Sequence, residues 1–298
     1  MQKPAPVYSR EFVLHPERDA TYVHFENAAN TPFQPDPAGF PRVNVWWLAE
    51  AALAAYWKRS DGMAMFQAAG CACEYLEEAS TSTECFLAWQ RDWLIVVFRG
   101  TQSGQWKDIL TDAEAVLVPW PIGSVHAGFK NALDAIWPRL NARLDALSAG
   151  RTVWFCGHSL GAALATLAAD RYPATRGVAT VGSPRVGNPA FADRFSAKLS
   201  DKTLRYVNDH DVVTHLPPPL LGYQHVDRPR FIAPDGVVSS RQPAVPHFFS
   251  DLIGDTGQLL EVIEGLEAKT LSIAPNFLLD HMPKAYAIWT WNDFDAHG

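Results

Sequence analysis

The chain has 298 residues, 48% hydrophobic and 19% charged, with a formal net charge of -7 at pH 7. That composition suits a globular protein with a sizeable core. The acidic balance argues against nucleic acid and against electrostatic capture by an anionic membrane surface.

Eleven Trp is a high count, and several lie in segments that read as exposed, which points to an apolar ligand surface. Four Cys at this length do not make a disulfide framework. Cys156 reads as a buried thiol, and Cys71-x-Cys73 is not a zinc spacing. Free thiols are the preferred reading for Cys71, Cys73 and Cys85, with a Cys71–Cys85 or Cys73–Cys85 bridge as the alternative. The stretch Met1 to Glu11 has no apolar h-region, so no secretory signal is visible. The longest apolar run, Val45 to Tyr56, contains Glu50 and is too short to span a bilayer. A soluble chain is expected, either cytoplasmic or exported by a route without an N-terminal signal.

Residues 1–42 are rich in Pro and polar groups and read as an extended arm. A helical pattern follows over 43–58, with Trp46, Trp47, Leu53, Ala54 and Trp57 available for an apolar side. That Trp-rich segment reads as core rather than as a lipid-docking surface. A second short helix is expected over 61–69. Strand signals come next at 73–77, 84–90 and 93–99, with Arg91-Asp92 as a hairpin turn. Leu94 to Phe98 is apolar on both faces, as a central strand covered on both sides requires. In Gln102 to Asp112, Trp106, Ile109 and Leu110 fall at i, i+3 and i+4, opposite Lys107, Asp108 and Asp112. A strand over 113–118 and a helix over 125–147, stopped by Gly150, follow. Strands at 177–181 and 203–207 flank a helix at 189–199. A hairpin about Pro234-Asp235-Gly236 and helices over 247–268 and 276–289 complete the pattern. Strands alternating with helices argue for a mostly parallel α/β sheet.

The chemistry centres on Val153 to Gly161. An apolar β-type run ends at Gly157-His158-Ser159-Leu160-Gly161, and an Ala-rich helical run follows to about Arg171. Strand, sharp turn and helix are the context of a nucleophile elbow. Gly157 and Gly161 leave room for the turn, and Ala162, Ala163 and Ala165 let the helix approach the sheet. A serine hydroxyl needs a base to take its proton and a third group to orient that base. In α/β-hydrolases these follow the serine in the order acid, then histidine. Asp209 and Asp211, after the strand at 203–207, both suit the acid by position. His225, His247 and His281 remain as bases, because a histidine in the acid's own loop approaches from the wrong element. The developing oxyanion needs fixed donors. Leu160 N–H is one, and Thr101, after Arg99-Gly100, offers its N–H and hydroxyl as the other.

These residues resemble the fungal-type triacylglycerol lipase family, the class 3 lipases. The matching pieces are Val97 to Thr101, Val125 to Phe129, Gly157 to Ala165, Gly182 to Pro189, Asn208 to Pro218, Gly222 to His225 and Leu279 to His281. They come in the family's order and cover roughly 45–225 plus the C-terminal histidine segment. The resemblance implies Asp211 as the acid, because it precedes the stretch ending in Leu-Pro-Pro, and His281 as the base, because it follows an Asp near the C-terminus. His225 then falls on a structural position, with His247 as the fallback base. It also places Gln102 to Asp112 where the family carries its lid, so that Trp106, Ile109 and Leu110 would cover the site in water and open against lipid; a surface helix packed permanently on the core is the alternative. Thr214 replaces a frequent proline, and His215 stands where the loop's basic residue usually is. Residues 228–275 match no motif.

The expectation is therefore a single α/β-hydrolase domain with a mainly parallel sheet flanked by helices. Its function would be hydrolysis of carboxylic esters, above all acylglycerols, by Ser159, Asp211 and His281 with an oxyanion site at Thr101 and Leu160. No cofactor is needed, and His210, Asp211, His215 and His225 read as a triad loop rather than a metal site. The partner is a small ester or lipid, at a lipid–water interface. A soluble or feruloyl-type esterase is the alternative, and a binding protein without turnover a third reading.

Overall fold

The structure is a computed structural model that describes residues 1–19, 21–100, 116–240 and 275–298. After an N-terminal stretch with one short helix, α1 (Arg10–Leu14), come α2 (Arg42–Ala54) and α3 (Arg59–Ala68). Strands β1 (Ala72–Glu78), β2 (Thr83–Trp89) and β3 (Trp93–Phe98) pair antiparallel in sequence. A hairpin of β4 (Leu117–Pro119) and β5 (Ser124–His126) leads into α4 (Ala127–Leu147). Then β6 (Thr152–His158), α5 (Leu160–Arg171), β7 (Thr175–Val181), α6 (Pro189–Leu199) and β8 (Thr203–Asn208) alternate. The chain continues through β9 (Pro229–Ile232) and β10 (Val238–Ser239), and ends in α7 (Asn276–Leu279) and α8 (Pro283–His297).

The main sheet has the order β1-β2-β3-β6-β7-β8-β9-β10. Its centre, β3 through β9, is parallel, and the β9–β10 edge is antiparallel. All six residues of β3 are buried, as its continuous apolar run predicts for a strand covered on both faces. The two-residue period of the strand sorts them. Leu94, Val96 and Phe98 pack with Leu133, Ile136 and Leu140 of α4, Ala163 and Leu167 of α5, and Phe191 and Phe195 of α6. Ile95 and Val97 pack on the opposite face with Trp46, Trp47 and Ala51 of α2 and with Tyr286 and Trp291 of α8.

The ten described Trp residues do not form the exposed apolar surface expected from the Trp count. Trp46, Trp47, Trp57, Trp93, Trp120, Trp154 and Trp291 are buried, and Trp89, Trp137 and Trp289 are partly buried against the cores. They pack within the hydrophobic core clusters or against them. The four Cys are free thiols. No described helix is long and apolar enough to cross a membrane.

Two helix boundaries differ from the pattern. The helix expected from Val125 starts at Ala127, because Ser124–His126 is a strand and the His126 ring accepts the Gly128 N–H at 3.1 Å as a cap. The helix expected over 276–289 is two helices. Pro283 opens α8, which is a favoured first helical position, and it forces Met282 into an extended conformation (φ -64°, ψ 132°). His281 lies in the resulting break. The expected helix over 247–268 lies outside the described residues.

Candidate active site

The sequence forces Ser159 into an uncommon backbone. Its φ is +58° and ψ -128°, a conformation that costs a non-Gly residue roughly 1–3 kcal/mol and persists only when the surroundings hold it. Here they do. The Ser159 N–H donates to Val181 O at 3.2 Å across to β7. A Cβ on Gly157 would lie 2.3 Å from the Gly161 backbone, and one on Gly161 would lie 2.2 Å from Phe98 O. The two glycines therefore let β6, α5 and β3 close around the turn. Ser159 is fully buried, and its Oγ has no hydrogen-bond partner among the described residues. Leu160 opens α5, where the first amides lack intrahelical acceptors and remain available as donors.

The loop after β8 and the break before α8 bring an acid and a histidine together. His281 Nδ1 lies 2.7 Å from Asp211 Oδ1, with both side chains fully buried. Asp211 also accepts from Val213 N–H at 3.0 Å on Oδ1 and from Tyr286 OH at 2.5 Å on Oδ2. Burial, then the Asp211 charge beside it, raises the Tyr286 pKa well above the usual phenol range. The hydroxyl therefore keeps its proton and spends it on Asp211, while its lone pair takes Asn208 N–H at 3.0 Å. Three donors thus converge on one buried carboxylate. Gly182 (φ +60°) makes room for the pair: a Cβ there would sit 2.9 Å from Asp211 Oδ2 and 3.0 Å from His281 Cε1.

A second histidine anchors the first. His158 Nε2 is 2.6 Å from His281 O, and His158 Nδ1 is 2.7 Å from Tyr56 OH. Burial, reinforced by the nearby His281, depresses the His158 pKa well below the usual imidazole value, so the ring is neutral. A carbonyl can only accept, so the proton is on Nε2 and Tyr56 donates to Nδ1. Tyr56 packs on the turn that leads toward Thr101, since a Cβ on Gly100 would lie 2.0 Å from its hydroxyl. Arg99, in the same turn, contacts both Glu84 carboxylate oxygens at 2.6 Å.

Of the two candidate acids, Asp211 meets His281, while Asp209 pairs with His210 at 2.7 Å. Among the candidate bases, His225 Nε2 donates to Thr214 O at 2.6 Å, which ties down the loop carrying Asp211. Asp280, beside His281, has its carboxyl pushed up to about 7 by burial and by the charges of Asp209 and Asp211. Thr101, the stripe of Trp106, Ile109 and Leu110, and the fallback base His247 lie outside the described residues. Sequence reasoning missed Tyr286 and Tyr56. Pro283 was a usable signal for Tyr286, because it starts a helix whose first turn presents Tyr286 back toward the break. Tyr56 carries no local signal.

Comparison with known proteins follows the same lines. The "Lipase (class 3)" family model matches residues 95–221. The chain is 35% identical over 144 residues to a lipase of Rhizomucor miehei, covering 44% of this chain and 39% of that protein. It is 38% identical over 109 residues to secreted mono- and diacylglycerol lipase 1 of Fusarium solani, covering 34% and 32%. The match thus spans less than half the length of these relatives. Among solved structures, a Rhizomucor miehei lipase–propeptide complex superposes with a TM-score of 0.55 at 26% identity, covering 65% of this chain and 68% of that one. A Rhizomucor miehei triacylglyceride lipase superposes with a TM-score of 0.58 at 23% identity, which speaks for the α/β-hydrolase fold.

Proposed function

We propose that the chain, whose residues 95–221 match the class 3 lipase family model, is a serine hydrolase of acylglycerol esters of that family, working through an acyl-enzyme. The observation that carries the reading is the buried 2.7 Å Asp211–His281 pair beside a serine held at φ +58° between two obligatory glycines.

In this proposal Ser159 Oγ attacks the ester carbonyl carbon while His281 Nε2 takes its proton. Asp211 holds the Nδ1–H tautomer and stabilises the imidazolium that forms. Leu160 N–H and Thr101 bind the oxyanion; losing one such donor typically costs about 100- to 1,000-fold in rate. Collapse of the tetrahedral intermediate breaks the ester bond. His281 gives its proton to the leaving alcohol, and water repeats the sequence to free the fatty acid. No cofactor enters these steps. The stripe of Trp106, Ile109 and Leu110 is proposed as a lid. Moving it onto lipid keeps its apolar area out of water, so opening costs less at an interface. We take the whole chain as one hydrolase unit acting at a lipid–water interface.

The test is hydrolysis of p-nitrophenyl esters from acetate to palmitate, below and above their solubility limits, beside Ser159→Ala. Wild type should prefer long chains and jump in rate as the substrate forms an emulsion. The variant should lose on the order of 10⁶-fold in kcat. Preference for acetate with no jump would make the protein an esterase and end the lid reading. Equal rates for Ser159→Ala and wild type would refute the mechanism.

A further inference from the structure

Two segments meet beside the Asp211–His281 pair, and the groups they bring together are metal-ligand types that the ester chemistry does not use. Asp209 and His210 come from the loop after β8, and Asp280 comes from the turn between α7 and α8. One ligand atom from each lies within 4.8 Å of the other two. Asp209 Oδ2 is 2.7 Å from His210 Nδ1, and the His210 backbone N–H donates to Asp280 Oδ2 at 3.4 Å. All three residues are half-buried, so a small ion can reach them without crossing the core.

The electrostatics call for a cation. Asp209 and Asp280 each bring a carboxylate oxygen within 4.8 Å of the other. Among the described residues, no Lys or Arg forms an ion pair with Asp209 or Asp280; His210 is the ion-pair partner of Asp209. Carboxylates gathered in a partly dehydrated place are stabilised by a compact positive charge. Two carboxylates and one imidazole form a mixed O/N set. That set suits borderline first-row ions, whereas Ca²⁺ takes six to eight oxygens and no nitrogen.

We propose that Asp209, His210 and Asp280 bind one first-row divalent cation, Zn²⁺ or Mn²⁺, which clasps the acid loop to the histidine turn. Ligands at ~2.1 Å from a tetrahedral centre lie ~3.4 Å apart, so the 2.7 Å Asp209–His210 contact opens slightly while Asp280, with its ligand atom within 4.8 Å of the other two, closes on them. Because the clasp spans elements far apart in sequence, the ion binds the folded chain and not the unfolded one, so it raises stability by mass action.

The experiment uses the full chain, stripped with EDTA and dialysed, and titrated with ZnCl₂, MnCl₂ and CaCl₂ by calorimetry and thermal unfolding. One equivalent of Zn²⁺ or Mn²⁺ should bind. At a hundredfold excess over Kd the Tm should rise by roughly 5 °C. Asp280→Asn and His210→Ala should each abolish the saturable site and the Tm rise, and circular dichroism of the stripped variants should match wild type. Asp209→Asn, conservative in shape, should weaken binding at least tenfold. Zn²⁺ binding unchanged in all three variants would place the ion elsewhere and overturn the proposal. So would the absence of binding by either first-row ion, or Ca²⁺ binding as tightly as both. If a variant unfolds on stripping, Mn²⁺ resonance of wild type decides instead: a ¹⁴N coupling supports the imidazole ligand, and its absence refutes it.

Discussion

Tyr286→Phe isolates the least obvious part of the site. It removes one oxygen and leaves the ring in the core. That oxygen donates to Asp211 Oδ2 at 2.5 Å and accepts from Asn208 N–H at 3.0 Å. Asp211 is fully buried, so no water replaces the lost donor. A hydrogen bond to a charged group contributes about 1.5–3 kcal/mol, and a stranded buried N–H adds about 1 kcal/mol. The variant should therefore lose about 3 kcal/mol of unfolding free energy, which for a chain of this size is a Tm lower by roughly 5 °C. Asp211 keeps Val213 N–H and His281 on Oδ1 but can now pivot about that oxygen. Less of its charge then faces the imidazolium. A loss of about 1.4 kcal/mol in that interaction means a tenfold lower kcat with KM little changed. Asp211→Asn, which also imposes the wrong histidine tautomer, should cost about 10⁴-fold. Urea unfolding followed by fluorescence and steady-state kinetics on one soluble ester measure both numbers. A Tyr286→Phe protein within 1 °C of wild type and within about twofold in kcat would refute the assignment of that hydroxyl to Asp211.

Three further outcomes follow from the same geometry. Gly182→Ala puts a Cβ against Asp211 Oδ2 and the His281 ring at a backbone φ of +60°, so kcat should fall on the order of 100-fold with the fold retained; an unaltered rate would mean the pair does not sit as described. Tyr56→Phe strands His158 Nδ1 and should cost about 1–3 kcal/mol of stability. It should leave kcat within a few-fold, because Nε2–H still holds His281 O; a large kcat loss at full stability would contradict that tautomer. His24 is buried between Tyr22 and Trp57, and its pKa is lowered to about 4 by burial first and by Lys3 second. A depressed histidine leaves the unfolded state binding more protons below pH 6.5, so stability is lost as pH falls from 6.5 toward 4. Between pH 7 and 5 this loss is about 2 kcal/mol more for wild type than for His24→Gln. Identical pH profiles for the two proteins would remove His24 from the account; the raised Glu50 carboxyl nearby is common to both.

The sequence is most legible where one residue type is the only physical solution. Gly157 and Gly161 flank a turn in which any Cβ meets backbone, and the pattern Gly-x-Ser-x-Gly marked that turn before its angles were known. The continuous apolar run of β3 marked a strand covered on both faces for the same reason. The acid and base were less legible. Periodicity offered Asp209 or Asp211 and three histidines, and only the family resemblance favoured Asp211 and His281. The partners of these residues were not legible. Tyr286 lies in α8 and Tyr56 in the turn after α2, 230 residues apart, and a buried tyrosine reads as packing until its hydroxyl has a position. The Trp count misled for a related reason, since composition does not reveal which Trp side chains the cores take up. Helix periodicity across 276–289 also outweighed Pro283, although the proline decides where His281 can sit.

Those partners bear on how the site is held. His281 is not restrained by its own short turn alone. Its carbonyl is fixed by His158 at the end of β6, the preceding Asp280 carbonyl by Asn208 Nδ2 at 2.9 Å from β8, and its ring by Asp211, which Tyr286 of α8 steadies in turn. Each restraint comes from an element buried in the main core, so the histidine has little freedom that the core lacks. Preorganisation of this kind places the general base without a conformational step in each turnover. It also means the site should not loosen before the fold does. In a urea titration, esterase activity on a soluble substrate and core tryptophan fluorescence should fall in one coincident transition. Activity lost while fluorescence and near-UV circular dichroism remain native would show the histidine turn opening as a separate unit, and the restraints from His158 and Asn208 would then be too weak to matter.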